Sequence, residues 1–291
     1  MAKADIAALL ALGAALFIAI GDVIHQRSAH EVAEEPVSHV ALFMRLLRDR
    51  GWWLGSLVAA AGFAFQAAAL GLGSVLLVQA LLVTSLLFAL PINARLTHRQ
   101  VTRWEWTWAA LLAASVAVIV IVGNPTAGHS RASFETWMAV VAVLGPALVL
   151  CVIGAGIWKG PVSAVLLAVV SGALWGLFAV LTKGVVDRLD DGVWELARTP
   201  ELYAWALVGV AGTAWQQSSF RAGSLTASLP TMTVTEPVVG SVLGVVVLGE
   251  ALRPGDAGWL TLVVAVAVMV VATAALARGE AATVDRATAP H

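Results

Sequence analysis

The sequence predicts an all-α integral membrane protein with about nine transmembrane helices, arranged as two inverted repeats of four helices plus a connecting helix. Three observations lead to this fold class. Of the 291 residues, 60% are hydrophobic and 12% are charged, which is more apolar surface than a soluble fold can bury. The apolar residues fall into runs of about 20, the length that crosses a bilayer as one helix. The two halves of the chain also resemble each other when the sequence is shifted by 150 residues.

Nine apolar runs follow one another along the chain. In order, they are residues 5–24, 52–71, 74–94, 104–123, 136–155, 161–182, 202–220, 224–249 and 257–277. The polar connection after the first run carries apolar residues at helical spacing over about 38–50, which predicts an amphipathic helix on the membrane surface. The tail, 278–291, is small and polar, and we expect it to be disordered.

The internal repeat is clearest at polar and small residues, because alanine and leucine match by chance in any membrane protein. A shift of 150 residues brings Gln66 onto Gln216 and the Gly-Ser pair at 73–74 onto that at 223–224. The predicted units are residues 1–127 (first repeat), 128–158 (connecting helix) and 159–277 (second repeat). Since an odd number of helices separates their starts, the copies run in opposite directions through the membrane. Inverted repeats of this kind underlie many secondary transporters, whose substrate binds at the midplane between the repeats.

The run 224–249 is unusual for a membrane helix. Glu236 stands near its middle, where an ionisable group is costly unless it faces the bundle interior or a wet path. Pro230 and Pro237, two turns apart on one face, each remove a backbone N–H and weaken the helix. Thr231 and Thr235 belong to a hydroxyl stripe along one side. Under the same shift Leu86 replaces Glu236, so the second repeat alone carries the mid-depth acid.

We therefore expect a solute or coupling-ion path lined by polar and aromatic side chains at mid-depth. Its candidate residues are Glu236, Gln66, Gln216, Gln79, Thr231, Thr235 and Trp175, with Pro230 and Pro237 as kink and gating positions. Glu236 would alternate between protonated and ionised forms or attract a cation. Each glutamine also has a structural alternative, a hydrogen bond between helices that is worth about 1 kcal/mol.

Composition argues against several other functions. The six histidines fall in loops, tails or span ends without a matching cluster of acids, so we expect no catalytic site, no metal site and no cofactor. The single cysteine, Cys151, rules out a disulfide within the chain. The net charge of −1, with no basic patch, makes nucleic acid an unexpected partner. A structural or receptor-like bundle stays open as an alternative to transport.

Lysine and arginine counts predict the orientation in the membrane. With the N-terminus outside and the C-terminus in the cytoplasm, eleven of the seventeen basic residues lie on the inner side. The bias toward arginine and alanine favours a bacterial plasma membrane. The sequence leaves a monomer and a homodimer both open.

The run 224–249 also resembles a characteristic helix of the drug/metabolite transporter (DMT) superfamily, in its EamA-like branch. The resemblance lies in Thr235-Glu236-Pro237-Val238 and in Leu248-Gly249-Glu250. That family usually has ten helices, whereas this chain lacks the second one, and a nine-helix layout is closer to NIPA-like members, whose second half also carries a glutamine like Gln216. The resemblance implies a transporter that moves a small solute by alternating access, coupled to a proton or cation. It leaves magnesium transport and lipid-carrier flipping as alternatives.

Overall fold

The computed structural model describes residues 3–33, 50–96, 100–189, 191–222, 225–255 and 258–287. In these ranges the regular structure is helical, apart from one isolated backbone bridge between Thr126 and Ala251. The helices are α1 (Lys3–Ala33), α2 (Arg50–Leu72), α3 (Val75–Leu82), α4 (Ser85–Leu96), α5 (Arg103–Gly123), α6 (Phe134–Ile157), α7 (Pro161–Leu189), α8 (Val193–Ala197), α9 (Pro200–Ala222), α10 (Leu225–Leu248) and α11 (Gly258–Ala287).

Eight candidate spans in the described ranges are long and apolar enough to cross a membrane, which confirms a helical membrane protein. They are α1, α2, α3 with α4, α5, α6, α7, α10 and α11. Helix α9, the seventh predicted run, has the length, with 23 residues, but not the apolar character. Its hydrophobic residues are diluted by Thr213, Gln216, Gln217, Ser218 and Ser219. The count of nine therefore stays a prediction.

The third predicted run, 74–94, is not one continuous helix. It is divided into α3 and α4 by a turn at Val83 and Thr84. The Thr84 hydroxyl donates to the Leu81 carbonyl, and the Leu87 N–H donates to the Thr84 carbonyl. The two pieces still form one candidate span, Val75–Leu96, so the correction concerns the continuity of the helix.

Helix α3 lies at the centre of the bundle, since every residue from Val75 to Leu81 is buried. Helix α1 packs against α2 and α4, while α7 packs against both α9 and α10. Helices α5 and α11 pack together, and so do α3 and α10. These two contacts join residues 1–127 to residues 159–277. Helix α6, by contrast, leaves most of its length exposed on the outside of the bundle, where lipid would surround it.

Two predicted segments need separate mention. The surface helix expected at about 38–50 falls almost wholly outside the described residues. At the other end of the chain, α11 continues as helix to Ala287, through much of the tail expected to be disordered. Alanine and arginine are strong helix formers, and they recur between residues 274 and 287.

Candidate functional site

The middle of α10 packs directly on the backbone of α7. A Cβ added to Gly172 would lie 2.8 Å from the Thr235 Cβ, and one added to Gly176 would lie 2.7 Å from the Glu236 carbonyl oxygen. Two glycines four residues apart form the small-xxx-small pattern that lets membrane helices approach closely. The predicted mid-depth acid, Glu236, is therefore carried on a tightly held stretch of backbone, and it is half-buried.

Helix α3 contacts the same stretch of α10 from another side. A Cβ on Gly240 would come within 2.7 Å of the Gln79 Nε2, and one on Gly244 within 3.3 Å of the Val75 Cβ. Each step of four residues along these antiparallel helices is about one turn. One more turn along this register places Glu236 at the level of the α3–α4 break. Gln79 is 1% exposed, and its Nε2 has no hydrogen-bond partner among the residues that the structure describes.

Helix α10 contains the predicted kink positions, Pro230 and Pro237, and the predicted hydroxyl residues, Thr231 and Thr235. Pro230 and Pro237 are both inside the helix and buried. The Thr235 hydroxyl donates to the Thr231 carbonyl at 2.7 Å, and the Thr233 hydroxyl donates to the Leu229 carbonyl at 2.8 Å. Pro237 frees the carbonyl of Thr233, four residues earlier, so neither of these hydroxyls satisfies it.

The two repeat-related glutamines are in different environments. Gln216 on α9 accepts a hydrogen bond from the Trp175 Nε1 of α7 at 3.2 Å, and the Trp175 ring meets Phe178 edge-on. Gln66 on α2 is 7% exposed and, in the described part of the chain, has no hydrogen bond. Gln216 thus forms the interhelical bond that the structural alternative expects, whereas Gln66 does not.

The residues that face each glutamine explain this difference. Gly212, one turn before Gln216, lies against Trp175, and its carbonyl accepts a bond from Ser171 at 3.0 Å. Gly62, one turn before Gln66, lies against Phe17 and Ile18 of α1. Apolar side chains thus replace the tryptophan at the matching contact, so α1 offers no comparable donor to Gln66.

At one end of the bundle lies a buried ion pair that joins the two halves. The Glu250 carboxylate accepts hydrogen bonds from the backbone N–H of Val75 at 2.7 Å and of Leu76 at 3.0 Å, the first residues of α3. The Lys183 Nζ donates to Glu250 Oε1 at 2.9 Å and to the Gly73 carbonyl at 2.7 Å. We call these five residues the latch.

The latch has the chemistry of a helix N-terminal cap combined with a salt bridge. A carboxylate at a helix N-terminus interacts favourably with the unpaired N–H groups and the helix dipole. Lys183 and Glu250 are 5% and 2% exposed. Gly249 has φ +64°, a left-handed conformation that favours glycine, and it ends α10 so that the chain turns and Glu250 points back to α3.

Further backbone contacts close the same end. Thr126 and Ala251 exchange two backbone hydrogen bonds, and the His129 N–H donates to the Leu248 carbonyl at 2.7 Å. A Cβ on Gly128 would lie 2.0 Å from that carbonyl, so the loop after α5 fits the end of α10 only with glycine there. The loops that follow α5 and α10 thus bind each other across the boundary between the halves.

Sequence reasoning missed the latch. Lys183 directly follows the predicted run 161–182, which makes it one of the six basic residues expected on the outer side, but α7 continues to Leu189 and buries it. The available signal was the position of Lys183 directly after an apolar run, together with the Leu248-Gly249-Glu250 motif, for which the resemblance implies no partner of Glu250. Periodicity alone could not pair residues 67 positions apart.

Comparison with known proteins identifies one relative. The chain is 36% identical over 284 residues to the uncharacterized protein Cgl0250/cg0304 of Corynebacterium glutamicum, a match that covers 94% of this chain and 95% of the relative. No family model and no solved structure matches. Within the described residues, no group of three His, Cys, Asp or Glu side chains is close enough to hold a metal ion. The 36% identity, over nearly the full length of both chains, shows that this chain belongs to the same protein family as the Corynebacterium protein.

Proposed function

We propose that this membrane protein is a secondary transporter that moves a small solute by alternating access, with Glu236 binding a coupling proton or cation. The observation that carries the proposal is the latch. Lys183 and Glu250 both belong to the second half, and they hold the first half through three hydrogen bonds to the corner between α2 and α3. With the N-terminus outside, the latch lies at the outer end, and its role in the transport cycle would be to close that end.

The chemistry of the latch suits a contact that must break and re-form. A buried ion pair adds little net stability, because the cost of desolvating the charges offsets their attraction. In the first half, the partners of Lys183 and Glu250 are backbone N–H and C=O groups at the corner between α2 and α3. Water can replace every one of these partners if the halves separate. The Lys183–Glu250 pair itself lies within one half and can stay together.

The central helices supply the flexibility that such a movement needs. Helix α3 is separated from α4 at Val83 and Thr84, and α10 loses a backbone hydrogen bond at Pro237. By the repeat shift, Val83 corresponds to Thr233, whose carbonyl Pro237 frees. Both central helices are thus weakened at the same depth. The resemblance to EamA-like transporters supports the same function.

A locked variant tests the proposal without knowledge of the solute. Thr126 and Ala251 form a hydrogen-bonded antiparallel pair, whose Cα atoms are about 5.5 Å apart, within the range of a disulfide. A Gln79→Cys reporter is introduced with Thr126→Cys and Ala251→Cys in a Cys151→Ala background. Labelling by an impermeant thiol reagent is then measured in right-side-out and inside-out vesicles.

We expect the reporter to be labelled from both sides when the lock is reduced, and only from the side opposite the latch when the lock is oxidised. The matched control is the reporter without the two lock cysteines, which oxidation should leave unchanged. A purely structural bundle predicts no labelling of this buried position from either side. That result, or labelling insensitive to the lock, contradicts alternating access.

A further inference from the structure

We propose that Gln66 and Gln79 contact the transported solute directly, and that this solute is a small organic molecule, neutral or positively charged, that presents hydroxyl groups. This inference rests on the transport function proposed above and names its substrate class. The observation behind it is that Gln66 and Gln79 are 7% and 1% exposed and form no hydrogen bond in the described part of the chain, and that the Gln79 Nε2 is a fully buried atom.

Gln79 is the clearer case. It is 1% exposed, and within the described ranges its Nε2 has no hydrogen-bond partner. Buried polar groups in folded proteins are nearly always hydrogen-bonded, and an exception needs an explanation. Its neighbour across the interface is Gly240, which has no side chain to offer. A solute that binds beside this contact would supply the missing acceptor.

Gln66 is the second case, and the repeat provides its internal control. Gln216 is satisfied by Trp175, and α7 also donates to α9 through Ser171. The equivalent contact in the first half brings Ile18 against Gly62, so α1 leaves the Gln66 amide without a partner. The same residue type at matched positions is therefore structural in one half and available in the other.

The two amides lie at the same level of the bundle. Gln66 is seven residues before Gly73 and Gln79 is six after it, so each is about 10 Å from the corner at the latch. Glu236 lies one turn from Gly240, on the side away from the latch. The amides and the acid therefore form successive layers below the latch, where a solute that enters from the opposite end would stop.

Charge selects among solute classes. The buried charged residues of the described helices are Lys183 and Glu250, and they neutralise each other, so no buried cation is left to compensate an anionic solute. An amide both donates and accepts, which matches a hydroxyl group. Magnesium sites usually include one or two carboxylates, and neither glutamine supplies one. These features favour a hydroxyl-bearing solute over a phosphate, a carboxylate or a metal ion.

Three matched variants test the inference: Gln66→Met, Gln79→Met and, as control, Gln216→Met. Methionine has a similar length to glutamine and no hydrogen-bonding amide. Each purified full-length protein is melted with tryptophan fluorescence as the readout, alone and with myo-inositol, glucosamine, inorganic phosphate or magnesium chloride. The first two probes carry neutral or cationic polyol chemistry, and the last two represent the competing classes.

We expect Gln66→Met and Gln79→Met to melt at or above the wild-type temperature, because neither breaks a hydrogen bond of the described residues and Gln79→Met also removes a buried, unsatisfied amide N–H. Gln216→Met should melt lower, because it breaks the bond to Trp175. A polyol probe should stabilise the wild type and Gln216→Met, and that shift should be lost in the other two variants.

Three results would overturn the inference: lower melting of Gln66→Met and Gln79→Met, equal probe shifts in all variants, or stabilisation of the wild type by phosphate or magnesium and by neither polyol. The locked-reporter experiment does not depend on these shifts. Alternating access could therefore stand while this substrate class fails, and the two failures are distinguishable.

Discussion

Replacing Lys183 by methionine should be among the most destabilising single changes in the described helices. Methionine keeps the length and apolar stem of lysine but removes the ammonium group that bonds Glu250 Oε1 and the Gly73 carbonyl. The Glu250 carboxylate would then remain 2% exposed with two backbone N–H donors and no counter-charge.

The size of the effect follows from the geometry of the pair. Removing one partner of a buried ion pair costs about 3–5 kcal/mol, because the remaining charge is still desolvated. A loss of 3 kcal/mol corresponds to a fall in melting temperature of roughly 6–12 °C on the scale of large soluble domains. The second change, Glu250→Gln, removes the orphaned charge, so Lys183→Met with Glu250→Gln should cost less than the sum of the two single variants.

The assay is thermal unfolding in detergent, followed by tryptophan fluorescence. The matched control is Lys159→Met, since Lys159 is an exposed lysine at the other end of the bundle and its loss should leave the melting temperature nearly unchanged. Two results would refute the reasoning. One is a melting temperature of Lys183→Met equal to that of the control, and the other is a double variant whose loss of stability equals the sum of those of Lys183→Met and Glu250→Gln. Either would mean that the ion pair is not coupled in the folded protein.

Three further predictions concern the packing of α7 on α10, the orientation in the membrane and the role of Glu236. Gly176→Ala should reduce folded yield and melting temperature, because the new Cβ would lie 2.7 Å from the α10 backbone and such overpacking costs about 1–3 kcal/mol. Gly156→Ala is the control and should be tolerated, since nothing lies within 4 Å of its Cβ. Equal melting temperatures of the two variants would contradict the close packing of α7 on α10. For the orientation, cysteines placed at the exposed residues Glu135 and Lys159 in a Cys151→Ala background should react with an impermeant reagent in intact cells only at position 135; the reverse pattern would invert the assignment. Glu236→Gln should still exchange solute in proteoliposomes but fail to concentrate it with a pH gradient; gradient-driven accumulation equal to wild type would remove Glu236 from coupling.

Hydrophobic run lengths were sufficient to predict most of the helices, because the bilayer fixes the length of a spanning helix. They were less informative where polarity and function overlap. Helix α9 is less apolar than the other long helices because it carries the glutamines and serines that bind α7, such as Ser219, whose hydroxyl donates to the Ala164 carbonyl. The break at Val83 and Thr84 contains neither proline nor glycine, so no local pattern indicated it.

The candidate site divides in the same way. Glu236 and its prolines are visible in the sequence, since an acid and two prolines are rare in an apolar run. The distinct environments of Gln66 and Gln216 are not visible, because the repeat makes them look equivalent. Their difference depends on which residue of a neighbouring helix faces them, Ile18 or Trp175. Similarly, the pairing of Lys183 with Glu250 depends on where two distant helices end.

In the transport cycle proposed above, the close contact between Gln79 and Gly240 would act as a pivot placed very near the latch. Val75 and Gln79 are four residues apart, so the lever arm from the pivot to the latch is about 6 Å. A rotation of roughly 20° about Gly240 would move the latch groups by about 2 Å, enough to extend a hydrogen bond of 2.7 Å beyond its range. With so short an arm, the angle needed is set by the reach of a hydrogen bond rather than by the size of the solute. The closed end should therefore release abruptly, with its bonds breaking within a narrow range of tilt.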